Sequence, residues 1–187
     1  MAHVLLFHHA LGLTDGVTAF AEQLRVAGHH VTAPDLYAGR TYSTIEDGLV
    51  HAEELGFETV MARGAEEAER LPAALVYAGF SLGVMPAQSL AQQRPGARGA
   101  LLYHGAVPLG AFGDRWPDDV PLQMHISADD PFDDLPVMEE LAASTGQELF
   151  TYPGDAHLFT DTSTAEHDPH AAQLVLERTL AFLARLA

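Results

Sequence analysis

The fold of this chain is decided by the stretch Ala73-Ala74-Leu75-Val76-Tyr77-Ala78-Gly79-Phe80-Ser81-Leu82-Gly83. Its small and apolar first half predicts a buried strand over residues 73–78. Its last five residues fit the nucleophile-elbow pattern, in which a serine lies on a sharp turn between a strand and a helix. Small residues on both sides let the backbone bend tightly and leave the Ser81 hydroxyl free to project. Ser81 is therefore a candidate attacking group.

A helix is predicted directly after this turn. Val84, Ala87, Leu90 and Ala91 fall at helical spacing. Pro86 is compatible with a first helical turn, where backbone N–H groups have no partner within the helix. The pentapeptide alone occurs by chance in many proteins, so its meaning depends on the elements around it.

Strands and helices alternate along the rest of the chain. Apolar runs predict strands at residues 3–7, 30–33, 99–103, 122–126 and 148–152, and helical stripes predict helices near residues 17–24, 45–55, 58–70, 136–143 and 169–186. Such alternation implies a largely parallel sheet that helices cover on both faces. We therefore predict an α/β fold with about six mainly parallel strands, in a single domain over residues 1–187.

The composition is that of a globular protein, with 48% hydrophobic and 19% charged residues. No apolar stretch is long enough to cross a bilayer, and the sequence that follows Met1 lacks the basic region and cleavage site of a signal peptide. The chain has no cysteine, which excludes disulfides and thiolate metal sites. We expect a cytoplasmic protein.

The charge balance is strongly acidic. The chain has 26 acidic and nine basic residues, and its formal net charge is −17. A surface of this kind does not follow a phosphate backbone, so we expect no nucleic-acid partner and no binding to anionic membranes. The negative field also disfavours anionic substrates unless a local basic group compensates.

Chemically useful side chains follow the predicted strands at their carboxyl ends, where parallel sheets bind ligands. His9 follows the first strand, Ser81 the third, His104 the fourth, Asp130 the fifth and His157 the sixth. In hydrolases with this elbow, an acid and then a histidine base follow the serine along the chain. Ser81, Asp130 and His157 have that order, and we predict that they form a catalytic triad. An Asp before a Pro is also typical of a turn, so their order and loop placement carry the choice.

Four segments also carry a family resemblance, in order along the chain: Pro34-Asp35-Leu36-Tyr37, Gly79-Phe80-Ser81-Leu82-Gly83, Asp130 with Phe132, and Gly154-Asp155-Ala156-His157-Leu158-Phe159. On these segments the chain resembles the dienelactone hydrolase family of α/β-hydrolases, over nearly its whole length. The resemblance implies a trimmed α/β-hydrolase sheet that lacks the first two strands of the full fold. It also implies a small ester or lactone as substrate.

The chain departs from the best-known members of that family at several positions. They carry cysteine where this chain has Ser81, and a glutamate associated with cysteine activation where it has His9. They hold a substrate carboxylate with arginines, one of which Arg40 approximates, displaced by a residue, whereas Asp161 stands where another would fall. The resemblance therefore implies a serine-nucleophile variant, with Arg40 as a candidate substrate contact. His9 and His104, which follow the first and fourth strands, are two further candidates for contact with substrate. For each of them a hydrogen-bonded loop histidine is an equally good interpretation.

The expected chemistry is acyl transfer from an ester to Ser81 and then to water. Backbone N–H groups of Leu82 and Ala10 are the candidate oxyanion donors. Paired histidines such as His8-His9 invite a metal hypothesis, but adjacent strand residues point to opposite faces, so we expect no metal ion and no cofactor. A thioesterase or acyltransferase with the same triad, and a non-catalytic binding module with the same fold, are the alternatives.

Overall fold

The computed structural model describes residues 1–132 and 134–186. Six strands form one sheet: β1 (His3–Phe7), β2 (His30–Thr32), β3 (Val76–Phe80), β4 (Gly99–Tyr103), β5 (Leu122–Ser127) and β6 (Glu148–Tyr152). Their spatial order is β2-β1-β3-β4-β5-β6, and every neighbouring pair is parallel. The predicted α/β fold with six parallel strands is confirmed.

Helices connect the strands and cover both faces of this sheet. They are α1 (Asp15–Val26), α2 (Ile45–Leu55), α3 (Phe57–Glu69), α4 (Val84–Gln93), α5 (Leu135–Thr145) and α6 (Pro169–Arg185). Leu5 and Phe7 of β1 join one hydrophobic core, to which α2–α5 contribute, while Val4 and Leu6 join a second core with α1 and α6. Because side chains alternate along a strand, one short apolar run supplies both cores.

The predicted boundaries hold to within a few residues, with one informative difference at β3. The strand begins at Val76 instead of Ala73 and continues to Phe80. Val76 is the first residue that pairs with both neighbours, β1 and β4. The amide of Leu75 instead donates to the carbonyl of Ala73, at 3.0 Å, which closes a local turn before the strand. Pairing, and not the apolar run alone, therefore sets where the strand starts.

Side-chain caps fix where helices begin around the sheet, as at α1 and α6. The Thr14 hydroxyl accepts a hydrogen bond from the Val17 amide, at 3.2 Å, at the start of α1. The Asp168 carboxylate accepts from the amides of His170 and Ala171 at the start of α6. Both caps satisfy backbone donors that the first helical turn leaves unpaired. Within residues 1–132 and 134–186, no helix combines the length and apolar character needed to span a membrane.

Candidate active site

Ser81 lies on a tight turn between β3 and α4. One turn of 3₁₀ helix, Ser81–Gly83, joins the two elements, and Ser81 itself has φ +47°. This left-handed conformation costs an ordinary L-residue about 1–2 kcal/mol. It turns the serine away from the strand at the carboxyl edge of the sheet, where its side chain is only partly buried.

Close contacts explain both glycines of the turn. A Cβ on Gly79 would lie 2.1 Å from the carbonyl oxygen of Gly83, and a Cβ on Gly83 would lie 2.6 Å from the carbonyl oxygen of Phe7. Neither position therefore admits a side chain without moving backbone. The second contact also presses the turn against the loop that follows β1.

Two hydrogen bonds in series link Ser81 to a histidine and that histidine to an aspartate. His157 Nε2 lies 2.8 Å from Ser81 Oγ, and His157 Nδ1 lies 2.7 Å from Asp130 Oδ2. Asp130 follows β5 and His157 follows β6, so the neighbouring strands deliver both side chains to the same edge. Ser127 at the end of β5 donates to the Ala156 carbonyl at 2.5 Å, which ties the two loops together.

Neighbouring groups fix the orientation of Asp130 and His157. The second oxygen of Asp130 accepts from the amide of Phe132 at 3.0 Å. With Nδ1–H donating to the carboxylate, Nε2 is left to accept the serine proton, which is the tautomer that a general base requires. The ring of Phe132 lies over the imidazole, with 4.4 Å between ring centroids. Phe132 is nevertheless 45% exposed, so it covers the histidine from the solvent side.

The two predicted oxyanion donors lie on the turn and on the loop that presses against it. Leu82 directly follows the serine, and Ala10 lies in the loop after β1. Within the part of the chain that the structure describes, neither backbone N–H donates a hydrogen bond. Gly48 of α2 packs on the Ala10 carbonyl, because a Cβ there would lie 2.1 Å from that oxygen. This contact fixes the Ala10 carbonyl, which belongs to the following peptide, and the role of the Ala10 N–H as a donor stays a prediction.

A buried histidine that sequence reasoning did not select fixes this same loop. His8 Nδ1 donates to the His9 carbonyl at 2.8 Å, and His8 Nε2 accepts from the amide of Leu36 at 3.0 Å. Burial lowers the pKa of His8 to about 4, so the ring is neutral near pH 7. In the sequence, His8 could have been found from its position at the end of β1, near the family-like segment Pro34-Asp35-Leu36-Tyr37 to which it bonds.

His9 forms a second buried histidine–aspartate pair in the site region. Its Nε2 lies 2.7 Å from Asp161 Oδ2, and its Nδ1 accepts from the Leu11 amide at 3.3 Å. The side chains of His9 and Asp161 are both 2% exposed. Both ring nitrogens are thus occupied by the protein, and contact between His9 and substrate stays a prediction that this geometry does not favour.

Asp161 is surrounded by donors. Thr14 Oγ1 donates to it at 2.6 Å, and Ser163 donates through its amide at 2.7 Å and its hydroxyl at 2.5 Å. Burial alone would raise the pKa of this carboxyl, but the hydrogen bonds from His9, Ser163 and Thr14 outweigh it and hold the pKa well below its usual range. The carboxylate is therefore ionised at neutral pH.

His104 and Arg40 are placed very differently from each other. His104 is fully buried at the end of β4, with φ +63°, and its Nε2 lies 2.6 Å from the Thr160 hydroxyl. Its ring centroid is 5.9 Å from that of His157, and burial lowers its pKa well below the usual value. The Nδ1 atom has no hydrogen-bond partner among the described residues. Arg40 is exposed, and its substrate contact stays a prediction.

An open cavity of about 430 Å³ adjoins these loops. Its walls come from the loop after β1, the segment that leads into α2, and the loop after β6; they are Leu11, Thr14, Tyr42, Ser43, Thr44, Ile45, Leu158, Ser163, Thr164, Ala165 and Glu166. Ser81 does not line it. Two lining residues are chain neighbours of site residues, because Leu11 directly follows Ala10 and Leu158 directly follows His157. Among the described residues, no group of three or more His, Cys, Asp or Glu side chains is arranged to hold a metal ion.

Comparison with known protein families gives one decisive result. The model of the dienelactone hydrolase family matches residues 1–187. The chain belongs to the dienelactone hydrolase family. The predicted resemblance is thus confirmed, and it places the chain among α/β-hydrolases. No curated protein matches the sequence.

Solved structures share the fold at low sequence identity. A dienelactone hydrolase-like promiscuous phosphotriesterase from metagenomic libraries is 15% identical, with a TM-score of 0.76 over 100% of this chain and 87% of that one. A cold-adapted esterase from an Arctic intertidal metagenomic library is 20% identical, with a TM-score of 0.70 over 98% of this chain and 82% of that one. A Thermus thermophilus protein is 22% identical, with a TM-score of 0.64 over 99% and 88%. These likenesses establish the α/β-hydrolase fold.

Proposed function

We propose that this member of the dienelactone hydrolase family is a serine-dependent hydrolase of a small carboxylic ester or lactone. The observation that supports the proposal is the pair of hydrogen bonds from Ser81 through His157 to Asp130, at 2.8 and 2.7 Å. Nucleophile, base and orienting carboxylate are within the reach that acyl transfer requires.

In the first step, Ser81 Oγ attacks the carbonyl carbon of the ester. Its proton passes to His157 Nε2, and the carbonyl π electrons move onto oxygen, which becomes the oxyanion of a tetrahedral intermediate. Asp130 stabilises the imidazolium that forms. The N–H groups of Leu82 and Ala10 bind the oxyanion, and such donors are worth about 3 kcal/mol each in comparable sites.

In the second step, the carbon–oxygen bond to the leaving group breaks. The imidazolium of His157 gives its proton to the departing alkoxide, which leaves as an alcohol, or stays attached to the acyl chain when the substrate is a lactone. Water then attacks the acyl-enzyme and transfers a proton to the same nitrogen. The bond between the acyl carbon and Ser81 Oγ then breaks, His157 returns the proton to Oγ, and the carboxylic acid leaves.

The experiment is initial-rate hydrolysis of p-nitrophenyl acetate and butyrate by the parent protein and by Ser81→Ala. Ser89→Ala is the matched control, because Ser89 lies on α4, where its hydroxyl donates to Gln93 of the same helix. We expect loss of nearly all activity in Ser81→Ala and full activity in the control. A fluorophosphonate should also add its mass to the peptide that contains Ser81. Undiminished hydrolysis by Ser81→Ala would overturn the proposal.

A further inference from the structure

The cavity beside the site is lined by hydroxyl groups and one carboxylate, and by no cationic side chain. Six of its lining residues carry hydroxyl groups and one is Glu166, while none is Lys, Arg or His. Binding of a carboxylate requires donors or positive charge on the wall. Whether this wall can bind a carboxylate therefore depends on where the hydroxyl hydrogens of its residues point.

Four of the six hydroxyls donate to the protein itself, and Tyr42 and Ser43 supply the other two. Thr14 and Ser163 donate to the Asp161 carboxylate, at 2.6 and 2.5 Å. Thr164 donates to the Asp161 carbonyl at 3.1 Å, and Thr44 donates to the Asp47 carboxylate at 2.7 Å. A hydroxyl has one hydrogen, so each of these side chains faces a ligand only with oxygen lone pairs.

The charge behind and along the wall has the same sign. Asp161 is ionised directly behind Thr14 and Ser163. Glu166 is exposed on the wall, and its Oε2 accepts from the Leu158 amide at 2.6 Å. Arg40, the candidate cation of this region, is exposed and does not line the cavity. In a partly enclosed space, charges of one sign interact more strongly with a ligand than they would in bulk water.

We propose that this cavity receives one end of the ester and selects for a cationic or hydrogen-bond-donating substituent, while it excludes a carboxylate. The inference rests on the proposed hydrolase function, because it treats the cavity as part of the substrate site. It assigns the substrate class as neutral or positively charged esters. Two of its lining residues, Leu158 and Leu11, are the chain neighbours of the proposed base His157 and of the proposed oxyanion donor Ala10, which is the ground for assigning the cavity to the substrate site.

The test compares esters that differ only in the charge at one end. One series has p-nitrophenyl esters of pentanoic, glutaric and 4-(trimethylammonio)butyric acids; the other has acetate esters of alcohols with the corresponding neutral, carboxylate and trimethylammonium ends. In at least one series we expect kcat/KM to be about tenfold or more lower for the carboxylate than for the neutral ester. The cationic ester should equal or exceed the neutral one.

Glu166→Gln tests the assignment to this cavity. Glutamine keeps an oxygen acceptor for the Leu158 amide and removes the charge. We expect kcat/KM for the carboxylate ester to rise about five- to tenfold, with little change for the neutral ester. Glu69→Gln is the control of equal charge, since Glu69 ends α3, ahead of β3, at the opposite edge of the sheet. It should leave the discrimination unchanged.

Salt separates the local effect from the field of the whole protein. At 1 M NaCl the screening length is about 3 Å, so repulsion that arises from the overall charge of −17 should vanish. Discrimination that survives and responds to Glu166→Gln supports the proposal. Equal turnover of carboxylate and neutral esters in both series, or equal effects of Glu166→Gln and Glu69→Gln, would overturn it. Absence of Ser81-dependent hydrolysis of every ester would instead refute the proposed function itself.

Discussion

Two histidine–aspartate pairs lie at the carboxyl edge of this sheet, and both are short and buried. His157 with Asp130 and His9 with Asp161 are each joined at 2.7 Å, and all four side chains are almost completely buried. They differ in the ring nitrogen that meets the carboxylate, Nδ1 in His157 and Nε2 in His9, and in the partner of the other nitrogen. The other nitrogen of His157 faces the Ser81 hydroxyl, whereas that of His9 accepts from the backbone amide of Leu11.

Because of this difference, His157 is a candidate base, whereas His9 has a structural role. A buried carboxylate orients an imidazole in both pairs, but proton transfer needs a free nitrogen that faces a reacting hydroxyl. His9 instead links the loop after β1 to the loop after β6. We infer that the Asp130 pair acts on activity and the Asp161 pair acts on stability, and substitutions at the two acids test this division.

Asp130→Asn should have the largest effect. Asparagine keeps the shape of the side chain but turns an N–H toward His157 or leaves the wrong tautomer, so Nε2 no longer accepts the serine proton. We expect kcat for p-nitrophenyl esters to fall by about 10⁴-fold, with a small change in the free energy of unfolding. Stopped assays with high enzyme concentration, together with urea denaturation, measure both. A variant that keeps a tenth of the activity would contradict the assigned role.

Asp161→Asn should show the opposite pattern. It removes a buried charge that accepts hydrogen bonds from His9, Thr14 and Ser163, and an amide cannot accept at both positions. We expect a loss of about 3–5 kcal/mol in the free energy of unfolding. At a temperature where the variant is folded, its kcat should lie within about tenfold of the parent value. Unchanged stability, or a loss of activity as great as in Asp130→Asn, would remove the distinction between the pairs.

Acid should destabilise the protein through histidines that lack a carboxylate partner. Burial lowers the pKa of His8 to about 4 from an ordinary value of 6.5, and lowers those of His104 and His125 as well. The unfolded chain therefore binds more protons as pH falls, and stability declines from about pH 6.5 downward. His8 alone lowers the free energy of unfolding by about 3 kcal/mol once the pH has fallen to 4.

Urea denaturation between pH 7.5 and 4 measures this dependence. His8→Gln keeps a donor and an acceptor for the His9 carbonyl and the Leu36 amide, so it should flatten the curve in that range even if it lowers stability at pH 7. A curve with the same slope in the variant would show that other groups govern acid sensitivity. Asp161 contributes to acid sensitivity only at lower pH, since its pKa is held below the usual range of an aspartate.

Local features of the sequence were sufficient to predict the strands and helices and to select the candidate site residues. The apolar runs of β1 and β4 were predicted with the observed bounds, because each run is short and buried on both faces. The turn at Ser81 was predicted from the motif Gly79-Phe80-Ser81-Leu82-Gly83 and from the strand and helix patterns on either side of it. Ser81, Asp130 and His157 were selected from their order and from the rule that strand ends share an edge; their catalytic role is the proposal that the experiments test.

Contacts between distant residues could not be predicted in the same way. His9 and Asp161 are 152 positions apart, and each has a side chain that is compatible with solvent, substrate or metal. Only the packing of the loop after β6 against the loop after β1 decides that they bind each other. The same packing turns the hydroxyls of Thr14 and Ser163 inward, which gives the adjacent cavity its acceptor-rich wall.

The sequence by itself determined the parallel α/β sheet, the turn at Ser81 and the family, because hydrophobic periodicity, glycine placement and short motifs are properties of neighbouring residues. The tertiary structure alone decided which of the 11 histidines is buried and neutral (His8), which is bonded to a carboxylate away from the serine (His9) and which faces the serine (His157). The physical reason is that a histidine's ionisation and tautomer depend on burial and on the partners of both ring nitrogens, and those partners come from strands and loops far away along the chain.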